Sequence, residues 1–118
     1  MYLEKIAKMH DKFMISLVEF SEKEKEFRIE AMQEELDEYK VAKTKEEEFD
    51  ALIDLLVFTL GTVDRHGWSN VFNEGFDRVM NANMAKELGP NQKRGSFSLD
   101  LKKPNNWKAP CHKDLVGE

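Results

Sequence analysis

Between residues 2 and 88 there is no proline, and only Gly61, Gly67 and Gly75 interrupt a run dominated by helix formers. Proline and glycine are the residues that break or weaken a helix. Long helices are therefore what this stretch can build. Pro90, Pro104 and Pro110 all lie beyond Gly89, where Gly, Pro, Asn, Lys and isolated aromatics replace the helical period. The chain predicts an all-α fold: an antiparallel four-helix bundle over residues 1–88, with an irregular C-terminal tail over 89–118 packed on it. At 118 residues the whole forms a single domain. So small a domain buries only about two-thirds of its unfolded surface, which leaves apolar area for a second copy to cover.

Apolar residues at three- and four-residue steps mark the helices. Ile6, Met9, Phe13, Leu17 and Phe20 predict a first helix over 2–20. Ile29, Met32, Leu36 and Tyr39 form one stripe of a second, over 22–43, which Ser21 can cap. Thr44 followed by Glu47 matches a capping box and opens a third helix over 45–65, closed by Gly67. Ser69 is placed to cap a fourth, running to Leu88 and carrying Val71, Phe72, Phe76, Val79, Met80 and Met84. Short connections between such helices imply antiparallel neighbours.

The third helix is apolar on nearly every side through residues 51–60, a pattern that predicts burial, yet Asp54 sits in its middle. A carboxylate there is costly unless it is paired or bound to metal. Asp50 lies one turn earlier and Glu47 about one turn before that. The second helix carries Glu34, Glu35 and Glu38, with Glu35 and Glu38 three apart and thus neighbours. If the two helices pack antiparallel, these acids face each other, and divalent cations offset their repulsion. Each acid also has a plainer explanation. Glu35 and Glu38 can be solvated, Glu47 can serve the helix dipole, and Asp54 can pair with an arginine or lysine.

Other chemistries are excluded by what is missing. No Glu-x-x-His motif supports a di-iron bundle, and no EF-hand loop, phosphate loop or glycine-rich dinucleotide fingerprint occurs. Oxygen-only ligands indicate Mg²⁺, with Mn²⁺ as the other fit. The net charge of −5 and the lack of a basic face before the C-terminal tail argue against nucleic acid as a partner. Cys111 is the only cysteine, which fits a reducing cytoplasm. Neither a signal peptide nor a membrane span is evident, so the chain is expected to be soluble and cytoplasmic.

These acids carry a resemblance. Glu35-Leu36-Asp37-Glu38, preceded by Glu34, resembles the first Glu-x-x-Glu element of the all-α nucleoside triphosphate pyrophosphatase superfamily, which includes the MazG-like enzymes and phosphoribosyl-ATP pyrophosphohydrolase. Asp50-Ala51-Leu52-Ile53-Asp54, with Leu60-Gly61-Thr62 beyond it, is similar to the second element in the phosphoribosyl-ATP-pyrophosphohydrolase-like branch; a register using Glu47 and Asp50 is the alternative. Asn83-Met84-Ala85-Lys86, Lys103-Pro104-Asn105-Asn106-Trp107, His10-x-x-Phe13 and Arg28 match the same branch.

The resemblance implies an Mg²⁺-dependent nucleotide pyrophosphohydrolase. It would convert an NTP or dNTP to the monophosphate and pyrophosphate, as a homodimer or homotetramer. Metal would be held by Glu35, Glu38, Asp50 and Asp54, with Glu34 assisting and Glu34 or Glu38 acting as base. His10, Asn83, Lys86 and Trp107 would contact substrate. Two alternatives stand beside this: hydrolysis of phosphoribosyl-ATP on the same scaffold, and a non-catalytic helical interaction domain. Residue by residue there are plainer roles too: Trp107 as an anchor for the tail, His10 as a surface histidine, and Asn83 as a solvent-facing polar group.

Overall fold

The computed structural model describes residues 1–118, which divide into two compact units, Met1–Ser69 and Asn70–Glu118. The first unit contains α1 (Tyr2–Lys12), a 3₁₀ turn (Ile15–Leu17), α2 (Glu22–Val41) and α3 (Lys45–Arg65). Its helix starts are set by side chains. The Glu24 amide donates to Ser21 Oγ at 3.2 Å and the Glu47 amide to Thr44 Oγ1 at 3.1 Å. Glu47 Oε2 in turn accepts from the Lys43 amide at 3.0 Å. Such caps satisfy amides that the first helical turn leaves unpaired. Gly67, at φ +80°, follows the end of α3, where glycine carries no penalty for a left-handed conformation.

α1 stops at Lys12, not at residue 20, because Met14 takes a left-handed conformation (φ 57°) and turns the chain. The apolar period continued through this turn and concealed it. α2 and α3 form the antiparallel pair expected of their three-residue connection. Partner numbers fall on α3 as they rise on α2: Glu24 meets Arg65, Met32 meets Thr59, and Glu35 faces Asp54.

What seals this seam differs from expectation. Of the anticipated core stripe of α2, Ile29, Leu36 and Tyr39 are exposed, and Met32 alone is half-buried, against Thr59. Glu24, Arg28, Ala31, Glu35 and Glu38 recur instead at alternating four- and three-residue steps and face α3. The matching stripe on α3 is Ala51, Asp54, Phe58, Gly61 and Arg65. Steps of three and four keep one face of a helix against its neighbour. The buried apolar residues are only Ile6, Ala31, Ala51 and Leu60. On the other side of α3, Phe49, Leu52, Ile53 and Leu56 are exposed (Phe49 68%), although the composition of this helix predicted burial all round.

The second unit holds α4 (Phe72–Met84), a two-residue antiparallel pairing of β1 (Glu87–Leu88) with β2 (Leu101–Lys102), a 3₁₀ turn (Gln92–Arg94) and the short α5 (Lys113–Val116). α4 starts three residues after Ser69 because that hydroxyl donates to Asp64 Oδ1 at 2.7 Å and is not available as a cap. It ends at Met84, and Glu87 and Leu88, expected in the helix, form β1. The tail is therefore less irregular than its composition suggested, because strand pairing depends on residues a dozen positions away. Arg78 joins α4 to the chain end, donating to both Asp114 carboxylate oxygens at 2.8 and 2.9 Å and to the Cys111 carbonyl at 2.9 Å. No helix is long and apolar enough to cross a membrane.

Candidate active site

The seam between α2 and α3 has two ends with opposite electrostatics. Toward the short connection, Glu35, Glu38, Asp50 and Asp54 come together. Burial raises the pKa of Glu35, and the fields of Glu38, Asp54 and Asp50 raise it further. Asp54 is raised by burial first, then by Asp50 and Glu38. No arginine or lysine pairs with these four acids. Glu35 Oε2 is sealed from solvent without a hydrogen-bond partner. Beside the cluster, Glu38, Val41, Ala42, Glu47 and Asp50 line a pocket of about 230 Å³.

An orphaned carboxylate oxygen among three further carboxylates suits a hard, oxygen-seeking cation. No three of these side chains are drawn to one coordinating point; like charges this close stand apart unless something positive lies between them. Between the two registers for the second acidic element, Asp50 is the one that acts on Glu35 and Asp54, while the Glu47 carboxylate caps α3. Glu34 is exposed, one residue from Glu35.

At the far end of the same seam the acids are fully paired. Glu24 accepts from Arg28 Nε at 2.8 Å and from Arg65 Nε and Nη2, both at 2.8 Å. The Arg65 bond is the largest influence in lowering the Glu24 pKa to about 2. Arg65 Nη2 also donates to the Val18 carbonyl at 2.6 Å, fixing the loop after the 3₁₀ turn. Glu24, Asp64 and Arg65 were not singled out from sequence. The arginine–glutamate spacing across the seam was the available signal.

His10 belongs to this network and is neither a surface residue nor open to a ligand. It is 2% exposed; Nδ1 meets Asp64 Oδ2 at 2.7 Å, and Nε2 lies 3.5 Å from Arg28 Nη2. Burial pushes the Asp64 carboxyl up, but hydrogen bonds from His10 and Ser69 outweigh it and the net shift is down. The His10 ring nitrogens, expected from sequence to contact substrate, face protein groups that tie α1 to α2 and α3. Gly61 leaves no space for a ligand either. A Cβ at that position would lie 2.9 Å from Arg28 Nη1 and 3.6 Å from His10 Nε2.

The remaining predicted residues lie in the second unit. Trp107 Nε1 donates to the Ala82 carbonyl at 2.7 Å, so the indole anchors the tail on α4. Lys86 and Lys103 each place Nζ 5.0 Å from the Trp107 ring centroid, close enough for cation–π attraction. Asn83 is half-buried at the end of α4, where its carbonyl accepts from the Lys86 amide at 3.0 Å.

The model of a family described as phosphoribosyl-ATP pyrophosphohydrolase aligns with residues 8–83, which span both acid-bearing helices and nearly all of α4. No curated protein and no solved structure matches the chain.

Proposed function

The chain belongs to the phosphoribosyl-ATP pyrophosphohydrolase family, and from that premise we propose that it is a magnesium-dependent enzyme cleaving a nucleoside or deoxynucleoside triphosphate to the monophosphate and pyrophosphate. The observation that carries the reading is Glu35 Oε2, sealed and unpaired beside Glu38, Asp50 and Asp54. Glu35, Glu38, Asp50 and Asp54 would hold magnesium, which supplies charge neutralisation for phosphate oxygens and acidifies water. Glu38, or the exposed Glu34, accepts the proton of the attacking water. The new bond forms from that water to the α-phosphorus, and the bond to the β-phosphate bridging oxygen breaks, releasing pyrophosphate.

The family description makes phosphoribosyl-ATP the second substrate to test. The experiment is a pyrophosphate-release screen over the common NTPs, dNTPs and phosphoribosyl-ATP, with and without Mg²⁺. Turnover of a triphosphate only when Mg²⁺ is present supports the proposal. Turnover of phosphoribosyl-ATP alone moves the assignment to that substrate, and silence across the panel overturns it.

A second copy of the chain is the partner proposed. Phe49, Leu52, Ile53 and Leu56 form an exposed stripe at helical spacing beside an apolar groove of about 390 Å³ that includes Tyr2, Ile6 and Leu60. One helix face can bury itself against its own copy about a two-fold axis. Sedimentation should give at least a dimer, and Ile53→Glu should shift it to monomer. A monomeric native protein overturns this partner.

A further inference from the structure

The chain as a whole is acidic, yet residues 86–108 contain Lys86, Lys93, Arg94, Lys102, Lys103 and Lys108 against only Glu87 and Asp100, a local net charge of +4 within a chain of −5. This reversal lies beyond residue 83, outside the stretch matched by the family model. It coincides with a pocket of about 360 Å³ lined by Pro90, Asn91, Gln92, Lys93, Lys102 and Lys103. That volume lies within the range of small-molecule sites and exceeds what a bare phosphate needs.

The frame of the pocket is built. Arg94 holds Asp100 through two hydrogen bonds of 2.8 and 3.0 Å. The Gly89 amide donates to the Asp100 carbonyl at 2.8 Å. Asn91 accepts from the Lys93 amide at 3.0 Å and donates to the Leu101 carbonyl at 3.5 Å. The Lys102 stem lies across Gly89, where an added Cβ would come within 3.1 Å of its Cε. Arginine and aspartate therefore neutralise one another in the scaffold, while Lys93, Lys102 and Lys103 have no carboxylate partner. Glu87 stands opposite Lys102 in the strand pair but forms no ion pair with it. Lys93 and Lys102 line the cavity without a carboxylate partner, while the Lys103 ammonium lies over the Trp107 ring; unpaired ammonium groups suit the charge and acceptor oxygens of a phosphate group.

We propose that the pocket between the 3₁₀ turn at Gln92–Arg94 and β2 binds the phosphate group of a small phosphate monoester, through Lys93 and Lys102. This goes beyond the hydrolase reading and does not depend on it, since no carboxylate of the α2–α3 cluster takes part.

Calorimetric titration of the full chain at low salt, with ribose 5-phosphate, inorganic phosphate and ribose as probes, tests the site. Ribose 5-phosphate should bind saturably, inorganic phosphate more weakly, and ribose not at all. The double variant Lys93→Ala/Lys102→Ala should weaken binding about tenfold or more, because two charges close to the phosphate are lost. Lys93→Arg/Lys102→Arg should restore most of it, and circular dichroism of each variant should match that of the parent. Asp54→Ala should leave this binding unchanged even if it abolishes pyrophosphate release, which separates the two proposals. Inorganic phosphate binding as tightly as the ester overturns the monoester assignment. Absence of saturable binding up to about 10 mM, where affinity falls to a few kcal/mol, overturns the site. So does full affinity in the double alanine variant, or binding of a single-stranded oligonucleotide without the monoester.

Discussion

The two ends of the α2–α3 seam are built from the same helices, at the same helical spacing, with carboxylates on both. At the Glu24 end two arginines supply five-donor guanidinium groups, every charge is satisfied, and Glu24 stays ionised far into acid. At the Glu35 end no cation is supplied by the protein, and Glu35 and Asp54 are both harder to ionise than usual because of burial and their acidic neighbours. Sequence distance does not separate these cases, since Glu24 and Glu35 lie on one face three turns apart. The difference lies in the company each keeps: Arg28 on α2 and Arg65 on α3 at one end, Asp50 and Asp54 on α3 at the other. One end is a fastening. The other is a place where the chain retains repulsion that an external cation can relieve.

The contrast can be broken most strongly at the repulsive end. Asp54→Ala should reduce magnesium-dependent pyrophosphate release by at least about a hundredfold, with helix content unchanged by circular dichroism. Normal turnover in that variant would show that the acidic end does not do the chemistry.

At the fastened end, Arg65→Ala leaves Glu24, whose side chain is 18% exposed, with a single arginine, and should cost about 2 kcal/mol in urea unfolding. Acid titration of the native protein examines the same end. The pKa of Glu24 is depressed from 4.5 to about 2, so its stabilisation is complete above pH 4.5 and is lost as pH falls toward 2. That loss should be of the order of 2 kcal/mol after solvent screening, and it should be smaller in Arg65→Ala. Equal acid sensitivity in the two proteins would remove Glu24 from the account.

The smallest effect sharpens the comparison instead. Glu35 has a raised pKa, so its ionisation costs stability as pH rises through the range above 4.5. Glu35→Gln should therefore raise the melting temperature near neutral pH without divalent ions, by roughly a degree or two. The same change should reduce the additional rise that millimolar Mg²⁺ gives the native protein through ligand linkage. A Glu35→Gln variant that melts lower and keeps the full Mg²⁺ response would contradict the assignment.

The helical class, the antiparallel hairpin and the meeting of Glu35 and Glu38 with Asp50 and Asp54 were legible from residue spacing, whereas the short α5 in the tail was not. So were the caps at Ser21 and Thr44. What was not legible follows from one assumption, that apolar periodicity marks the packed face. On α2 the packed face is Glu24, Arg28, Ala31, Glu35 and Glu38, a stripe with one apolar member, and the visible stripe of Ile29, Leu36 and Tyr39 is exposed. Charge pairs and small residues can seal a helix seam when arginine reaches across it, but a hydrophobicity pattern gives no sign of this. The same network took up His10, which from sequence alone carries the same signal whether it binds a substrate or a neighbouring aspartate. Met14 ended α1 with neither glycine nor proline to announce it. Trp107 behaved in the plainer of its two expected ways.

Ile6, Ala31, Ala51 and Leu60 are the only apolar side chains this chain buries. If a second copy covers the Phe49–Leu56 ridge as proposed, a polypeptide with so little interior grease would gain much of its thermal resistance there. For an assembly of that kind, folding becomes a matter of mass action. Dilution should soften the protein and high expression should harden it, so that cellular dosage itself sets how much of the population stays folded.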